Sequence, residues 1–182
     1  MIESTPLTGL LSVDRRRIGD ERGYLERLFC DEDLRFAGFD QPIRQINRTL
    51  TRQATSIRGL HFQYPPYAET KFVSCLRGTV FDVAVDLRRS STTFLEWHGE
   101  ILSDENARSL FIPEGFAHGF QTLTNDVEML YLHTECYQPA AEEALNALDP
   151  SIAIAWPLEP GPMSGRDRRH PLIAPDFTGI EL

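Results

Sequence analysis

Along this chain hydrophobic positions recur at every second residue or gather in short continuous runs, the spacing of strands rather than helices. The runs Phe72–Leu76, Val80–Leu87, Leu110–Ile112 and Val127–Leu132 are predicted strands. Between them lie Arg77-Gly78-Thr79, Arg88-Arg89-Ser90-Ser91, Pro113-Glu114-Gly115 and Thr124-Asn125-Asp126, the turn chemistry of hairpins and meanders. Many short strands with few helical patterns predict an all-β antiparallel sandwich or barrel. Asp31–Phe36, with its acidic start, reads as a short helix, and the tail after Pro157 is rich in proline and glycine. No repeat or linker divides the chain, which predicts one domain over residues 1–182. In Val80–Leu87 the side chains of Phe81, Val83, Val85 and Leu87 share one face, and Asp82, Ala84 and Asp86 the other. That alternation predicts core on the first face only, with Asp82 and Asp86 candidate site carboxylates or, on the plainer reading, in solvent or paired with an arginine of a neighbouring strand.

Composition narrows the possible partners. The 182 residues are 41% hydrophobic and 25% charged, ordinary for a globular domain. A net charge of -9 argues against nucleic acid and anionic membranes as partners, and no basic run is longer than Arg15-Arg16-Arg17. An anionic ligand would therefore be held by a focused cluster. No basic segment followed by an apolar run opens the sequence, and no stretch has the length of a membrane span, so a cytoplasmic protein is expected. Cys30, Cys75 and Cys136 are far apart and form no CxxC pair. They are expected to be reduced core thiols, Cys75 and Cys136 within strands, with neither a disulfide framework nor a zinc site.

The cations are distributed unusually: seventeen arginines stand against one lysine, Lys71, ten residues after His61. A lone ammonium suits a site that needs a compact point charge. A surface lysine in an arginine-rich chain is the plainer alternative. His61 by itself reads equally as a hydrogen-bonded core histidine, and Asp167 as a helix cap in the polar tail.

Two segments, Gly59-Leu60-His61-Phe62-Gln63 and Pro113-Glu114-Gly115-Phe116-Ala117-His118, resemble the cupin sheet. Metal-binding cupins carry a second histidine where this chain has Gln63, although His61, Glu69 and His118 would still suffice for a facial triad. A longer series of motifs is more specific. Asp20-Glu21-Arg22-Gly23, Arg44-Gln45-Ile46-Asn47, Arg58–Gln63, Asp82–Arg88, Pro113–Phe120, Tyr131 with Tyr137, Asp149-Pro150 and Ser164-Gly165-Arg166-Asp167 occur in that order. Together they resemble the dTDP-4-dehydrorhamnose 3,5-epimerase family.

That resemblance implies an RmlC-like cupin jelly roll with a few short helices, usually a homodimer in which N-terminal strands are exchanged. It implies a dTDP-linked 4-keto-6-deoxy sugar as substrate and epimerisation at C3 and C5 through an enolate, without a cofactor or metal. By its match to the family, His61 is the general base and Asp167 the carboxylate that orients it. Tyr131 matches the general acid, and Lys71 the ammonium beside the C4 oxygen, where enolate charge develops. Arg22 and Arg58 match diphosphate contacts, Arg22 reaching across the dimer. Gln45 and Asn47 match nucleotide contacts, and His118 and Tyr137 line the sugar pocket.

One position departs from the pattern. Family members that use thymidine nucleotides often carry glutamate where this chain has Arg27, and Glu26, one place earlier, falls on the opposite face of a strand. Gln45 and Asn47 keep dTDP ahead of CDP or GDP. Other readings left open are a single-centre epimerase on another nucleotide sugar, a metal cupin and a catalytically silent sugar-nucleotide binder.

Overall fold

The computed structural model describes residues 1–35 and 38–182. In chain order its strands are β1 (Ile2–Ser4), β2 (Leu11–Asp14), β3 (Arg17–Asp20), β4 (Gly23–Glu26), β5 (Gln45–Thr51), β6 (Ile57–Gln63), β7 (Lys71–Arg77), β8 (Thr79–Asp86), β9 (Trp97–Ser103), β10 (Arg108–Ile112), β11 (Phe116–Thr122), β12 (Val127–His133) and β13 (Glu142–Ala144). One helix, α1 (Asp31–Arg35), follows β4, and a 3-10 turn lies at Asp167–Arg169. The four predicted strands fall within β7, β8, β10 and β12, with Leu87 just past the end of β8. The predicted helix is α1, its last residue, Phe36, lying outside the described residues.

Two antiparallel sheets pack face to face as the expected jelly roll. One runs β1-β2-β10-β7-β12-β5 and the other β13-β6-β11-β8-β9. Strands β3 and β4 form a hairpin that belongs to neither.

Apolar side chains fill three layers. Val73, Cys75, Leu110 and Met129 of the first sheet meet Val80, Ala84, Leu102 and Phe120 of the second between the sheets. The outer face of the second sheet, with Ile57, Leu60, Val83, Val85 and Ala117, is covered by the tail through Trp156, Ile173 and Phe177. On the outer face of the first, Phe72, Phe111 and Leu132 pack against Leu34 and Phe39. Each valine, leucine, isoleucine, phenylalanine or methionine among them contributes about 1.5–3 kcal/mol when fully withdrawn from water.

This layering corrects the one-faced reading of β8. Both of its faces are core, and Asp82 and Asp86 are fully buried rather than solvated. Asp86 accepts hydrogen bonds from Arg88, two residues along the same chain, and from Ser91 and Thr93. Burial opposes its ionisation, but those donors hold the carboxyl below its ordinary value. Asp82 meets a histidine instead of an arginine, as described below.

The cysteines also differ from expectation. Only Cys75 is a buried core thiol, pushed up to about 12 by burial. Cys30 is half-buried, and Cys136 is exposed beyond the end of β12. Their sulfurs are unpaired, as expected. No helix among the described residues is long and apolar enough to cross a membrane.

Candidate active site

A cavity of about 620 Å³ opens between the two sheets. Register decides which side chains enter it. In the first sheet Tyr131 lies opposite Asn47, and His133 sits between Gln45 and Lys71. In the second, His118 is opposite His61. Of the ten residues singled out from sequence, eight line this cavity: Gln45, Asn47, Arg58, His61, Lys71, His118, Tyr131 and Tyr137.

Arg58 and His61 are three residues apart, so regular alternation would place them on opposite faces of β6. The strand is irregular between them. Gly59 has φ +115, and the pairing of β11 with β6 shifts between His118 and Phe120. A Cβ on Gly59 would come within 2.6 Å of the Gly119 backbone, and one on Gly119 within 2.5 Å of the Arg58 carbonyl oxygen. Two glycines thus permit the close approach that brings both side chains to one cavity.

His61 and Asp167 are 106 residues apart in sequence, yet Nε2 of the ring lies 2.9 Å from Oδ1 of the carboxylate. The tail is fastened to make this possible. The Ile173 N–H donates to Asp149 at 2.6 Å, Asn146 donates to the His170 carbonyl at 3.0 Å, and the Asp167 N–H donates to Ser164 Oγ at 2.9 Å. Burial opposes ionisation of Asp167, but its contacts with His61 and Ser164 hold the carboxyl below its ordinary value. With Asp167 ionised, Nε2 carries the ring proton and Nδ1 keeps its lone pair for the cavity.

Lys71 is no surface lysine: its side chain is 7% exposed. The ammonium donates to the His61 carbonyl at 3.1 Å and lies 3.2 Å from Glu69 Oε1. The other carboxylate oxygen of Glu69 is 2.8 Å from His133 Nδ1, and His133 Nε2 is 3.3 Å from Asn47 Nδ2. Burial works against a charged Glu69, but Lys71 and His133 outweigh it and keep the carboxyl below its ordinary value. The lysine is therefore held by a chain of polar side chains reaching β5.

Tyr131 comes from the sheet facing His61. Its ring lies edge-on to His118 at 6.0 Å and stacks on His133 at 6.1 Å. Burial pushes its phenol well above the ordinary value, so the hydroxyl stays protonated near neutrality. Behind it, His118 Nε2 lies 2.9 Å and 3.0 Å from the two oxygens of Asp82. Burial raises the Asp82 carboxyl against the pull of His118 and Lys71.

The rim is more open. Arg58 donates to Thr51 Oγ1 at 3.1 Å, and Tyr137 donates to Glu142 at 2.8 Å. Arg166 also binds Glu142, forming a small polar cluster at the mouth. Arg22 stands apart from the cavity. It lies in the β3–β4 hairpin, its side chain 85% exposed and paired with Asp20. Glu26 is paired with Arg15 and Arg17, and Arg27 with Asp33.

His61, Glu69 and His118 do not converge as one ligand set, since each is engaged by a different partner. Three residues enter the arrangement unannounced by the motifs: His133, Glu142 and His170. His133 was legible in principle, because it lies two places from Tyr131 on the same strand and so shares its face. Nothing in the sequence pattern distinguishes Glu142 or His170.

The family model described as dTDP-4-dehydrorhamnose 3,5-epimerase matches residues 4–175. A protein of that name from Sinorhizobium fredii is 43% identical over 155 residues, covering 85% of this chain and 80% of its own. The crystal structure of the Bacillus anthracis enzyme of that name, with TDP and PPi bound, superposes with a TM-score of 0.92 at 36% identity, over 95% of this chain and 99% of that one. That of the Legionella pneumophila dTDP-6-deoxy-D-glucose-3,5-epimerase, in complex with dTDP-4-keto-L-rhamnose, gives 0.90 at 38% identity, over 94% and 92%.

Proposed function

Because this chain belongs to the dTDP-4-dehydrorhamnose 3,5-epimerase family, we propose that it is an isomerase inverting C3 and C5 of dTDP-4-keto-6-deoxyglucose to give dTDP-4-dehydrorhamnose. The observation that carries this reading is the His61–Asp167 pair on one sheet and tail facing Tyr131 on the other sheet, with a buried ammonium between strands beside them.

A proton on a carbon next to the C4 ketone is acidic because its loss gives an enolate. Nδ1 of His61 takes that proton, and Asp167 stabilises the resulting imidazolium while fixing its tautomer. The electron pair left behind moves onto the C4 oxygen. There Lys71, oriented by Glu69 and the His61 carbonyl, offers a charge that matters more to the enolate than to the ketone. The Tyr131 hydroxyl then delivers a proton to the opposite face of the carbon, which inverts the centre. Its raised pKa keeps that proton available until the carbanionic carbon demands it. Product leaves, and the imidazolium and phenolate return to their starting forms by exchanging protons with solvent.

Arg58 holds the diphosphate, Gln45 and Asn47 the nucleotide side, and His118 and Tyr137 the sugar. Arg22 completes the phosphate contacts in a partner's pocket. This assigns a homodimer of single domains, residues 1–182, working in the cytoplasm without cofactor or metal. The β3–β4 hairpin supports the assembly: it exposes Ile18, Tyr24 and Leu25, and β5, an edge strand, exposes Ile46 and Leu50. Unpaired edges and apolar side chains of this kind are covered in stable proteins.

Proton NMR of dTDP-4-keto-6-deoxyglucose with the protein in deuterated water tests the function. Loss of both the C3 and C5 proton signals is expected. Loss at one position alone defines a single-centre epimerase, and loss at neither overturns the reading.

A further inference from the structure

The tail brings His170 to the far side of the catalytic carboxylate. Its Nε2 lies 3.6 Å from Asp167 Oδ1, the same oxygen that meets His61 Nε2 at 2.9 Å. The three ligand atoms lie within 4.8 Å of one another. No other group of three such side chains converges among the described residues. The two imidazole rings stand nearly perpendicular, 80°, with centroids 6.0 Å apart.

A second observation sets His170 apart. Its side chain is 16% exposed, and Nε2 is buried without a hydrogen-bond partner. A buried imidazole nitrogen ordinarily finds a partner. This one points toward a shared carboxylate oxygen at a separation too long for a hydrogen bond and close to that between neighbouring ligand atoms on a metal whose bonds are about 2.0–2.2 Å. Two nitrogens and one carboxylate oxygen suit zinc or a similar borderline divalent ion, with a fourth position left for water.

We propose that His61, Asp167 and His170 form an inhibitory binding site for a divalent transition-metal ion of the zinc class. The effect follows from the tautomer. A metal on Nε2 of His61 takes that nitrogen's lone pair, so the ring proton must sit on Nδ1. The nitrogen facing the cavity then becomes a donor and no longer accepts a substrate proton. Asp167 is simultaneously drawn onto the metal. The enzyme is silenced without any change in the cavity's shape, and a chelator restores it. The binding step itself does not depend on which sugar nucleotide the protein uses.

Cobalt(II) titration of the purified protein, followed by its visible d–d bands, tests the site directly, with zinc competing the signal away. One equivalent per chain is expected at micromolar metal. His170→Gln should weaken binding at least tenfold and raise by a similar factor the zinc concentration that halves its own exchange of substrate protons. Asp167→Asn, which keeps the side-chain shape, should weaken binding as well. Unchanged affinity in His170→Gln overturns the proposal, as does absence of binding by wild type. A sulfur-to-cobalt charge-transfer band, marking a cysteine ligand, also overturns it. Circular dichroism of both variants distinguishes lost ligation from lost folding. Since binding is read without substrate, failure of the epimerase assignment would leave this result standing.

Discussion

The cavity and the β3–β4 hairpin both carry residues of the proposed site, and they are built in opposite ways. In the cavity three of the polar side chains are fixed by strand register and by a second side chain behind them. Asp167 stands behind His61, Glu69 behind Lys71, and Asp82 behind His118. In the hairpin, Arg22 has only the exposed carboxylate of Asp20, two residues earlier, and its apolar neighbours Tyr24 and Leu25 face water. The difference matches the two tasks proposed for these regions. Proton transfer and enolate stabilisation need geometry prepared before substrate arrives. An arginine with the diphosphate role proposed for Arg22 needs reach and charge, and under the proposed dimer its ordering would come with the partner subunit.

The largest contrast should appear when the cavity is broken. His61→Asn should lower proton exchange at C3 and C5 by about 10²–10⁴-fold, the contribution of a general base. Tyr131→Phe should abolish inversion yet leave some exchange, because abstraction and return on the His61 face remain possible. Deuterium incorporation measured alongside product stereochemistry separates the two variants. Equal exchange by wild type and His61→Asn would remove His61 from the base role.

Breaking the hairpin should cost less and act on a different parameter. Arg22→Ala is expected to raise KM about tenfold with kcat nearly kept, the signature of a lost charge-assisted binding contact. The comparison sharpens when the two lesions are mixed. If Arg22 serves the partner's cavity, a heterodimer of His61→Asn and Arg22→Ala chains contains one intact site. Co-refolded mixtures should then recover about a quarter of the wild-type rate at low substrate, as random pairing dictates. No recovery would place Arg22 in its own chain's cavity or outside the site altogether.

How much of this was legible in sequence follows the same division of labour. Strands β7, β8, β10 and β12 announced themselves by runs or alternation bounded by turn residues. Strand β11 did not, because all seven of its residues are buried and no polar face marks the period. The same double burial hid Asp82 and Asp86: alternation shows two faces but not that both are covered. Arg58 and His61 share a cavity only because of the Gly59 irregularity, which no periodic reading yields. The pairing of His61 with Asp167 was available through family resemblance alone, since a contact across 106 residues leaves no local signature. Lys71 drew attention by its singularity. Its anchors do not: by sequence Glu69 reads as a candidate metal ligand, and nothing marks it as the lysine's counter-ion.

That counter-ion provides the finest test of the contrast. Glu69 is 10% exposed and held between Lys71 and His133, with its carboxyl below the ordinary value of 4.5. A depressed folded-state pKa contributes stability that is fully present above the unfolded value and is lost as pH falls through the folded one. Glu69→Gln keeps the shape and one oxygen acceptor, so the loss should be small, about 1 kcal/mol. Urea unfolding should show that difference constant above about pH 5 and shrinking as acid protonates the wild-type carboxyl. Asp20→Asn in the hairpin should change stability undetectably at any pH, because its ion pair with Arg22 is formed in water. A Glu69→Gln difference independent of pH would mean that the carboxylate's charge contributes nothing to holding Lys71, and the cavity would then be no more prepared at that point than the hairpin.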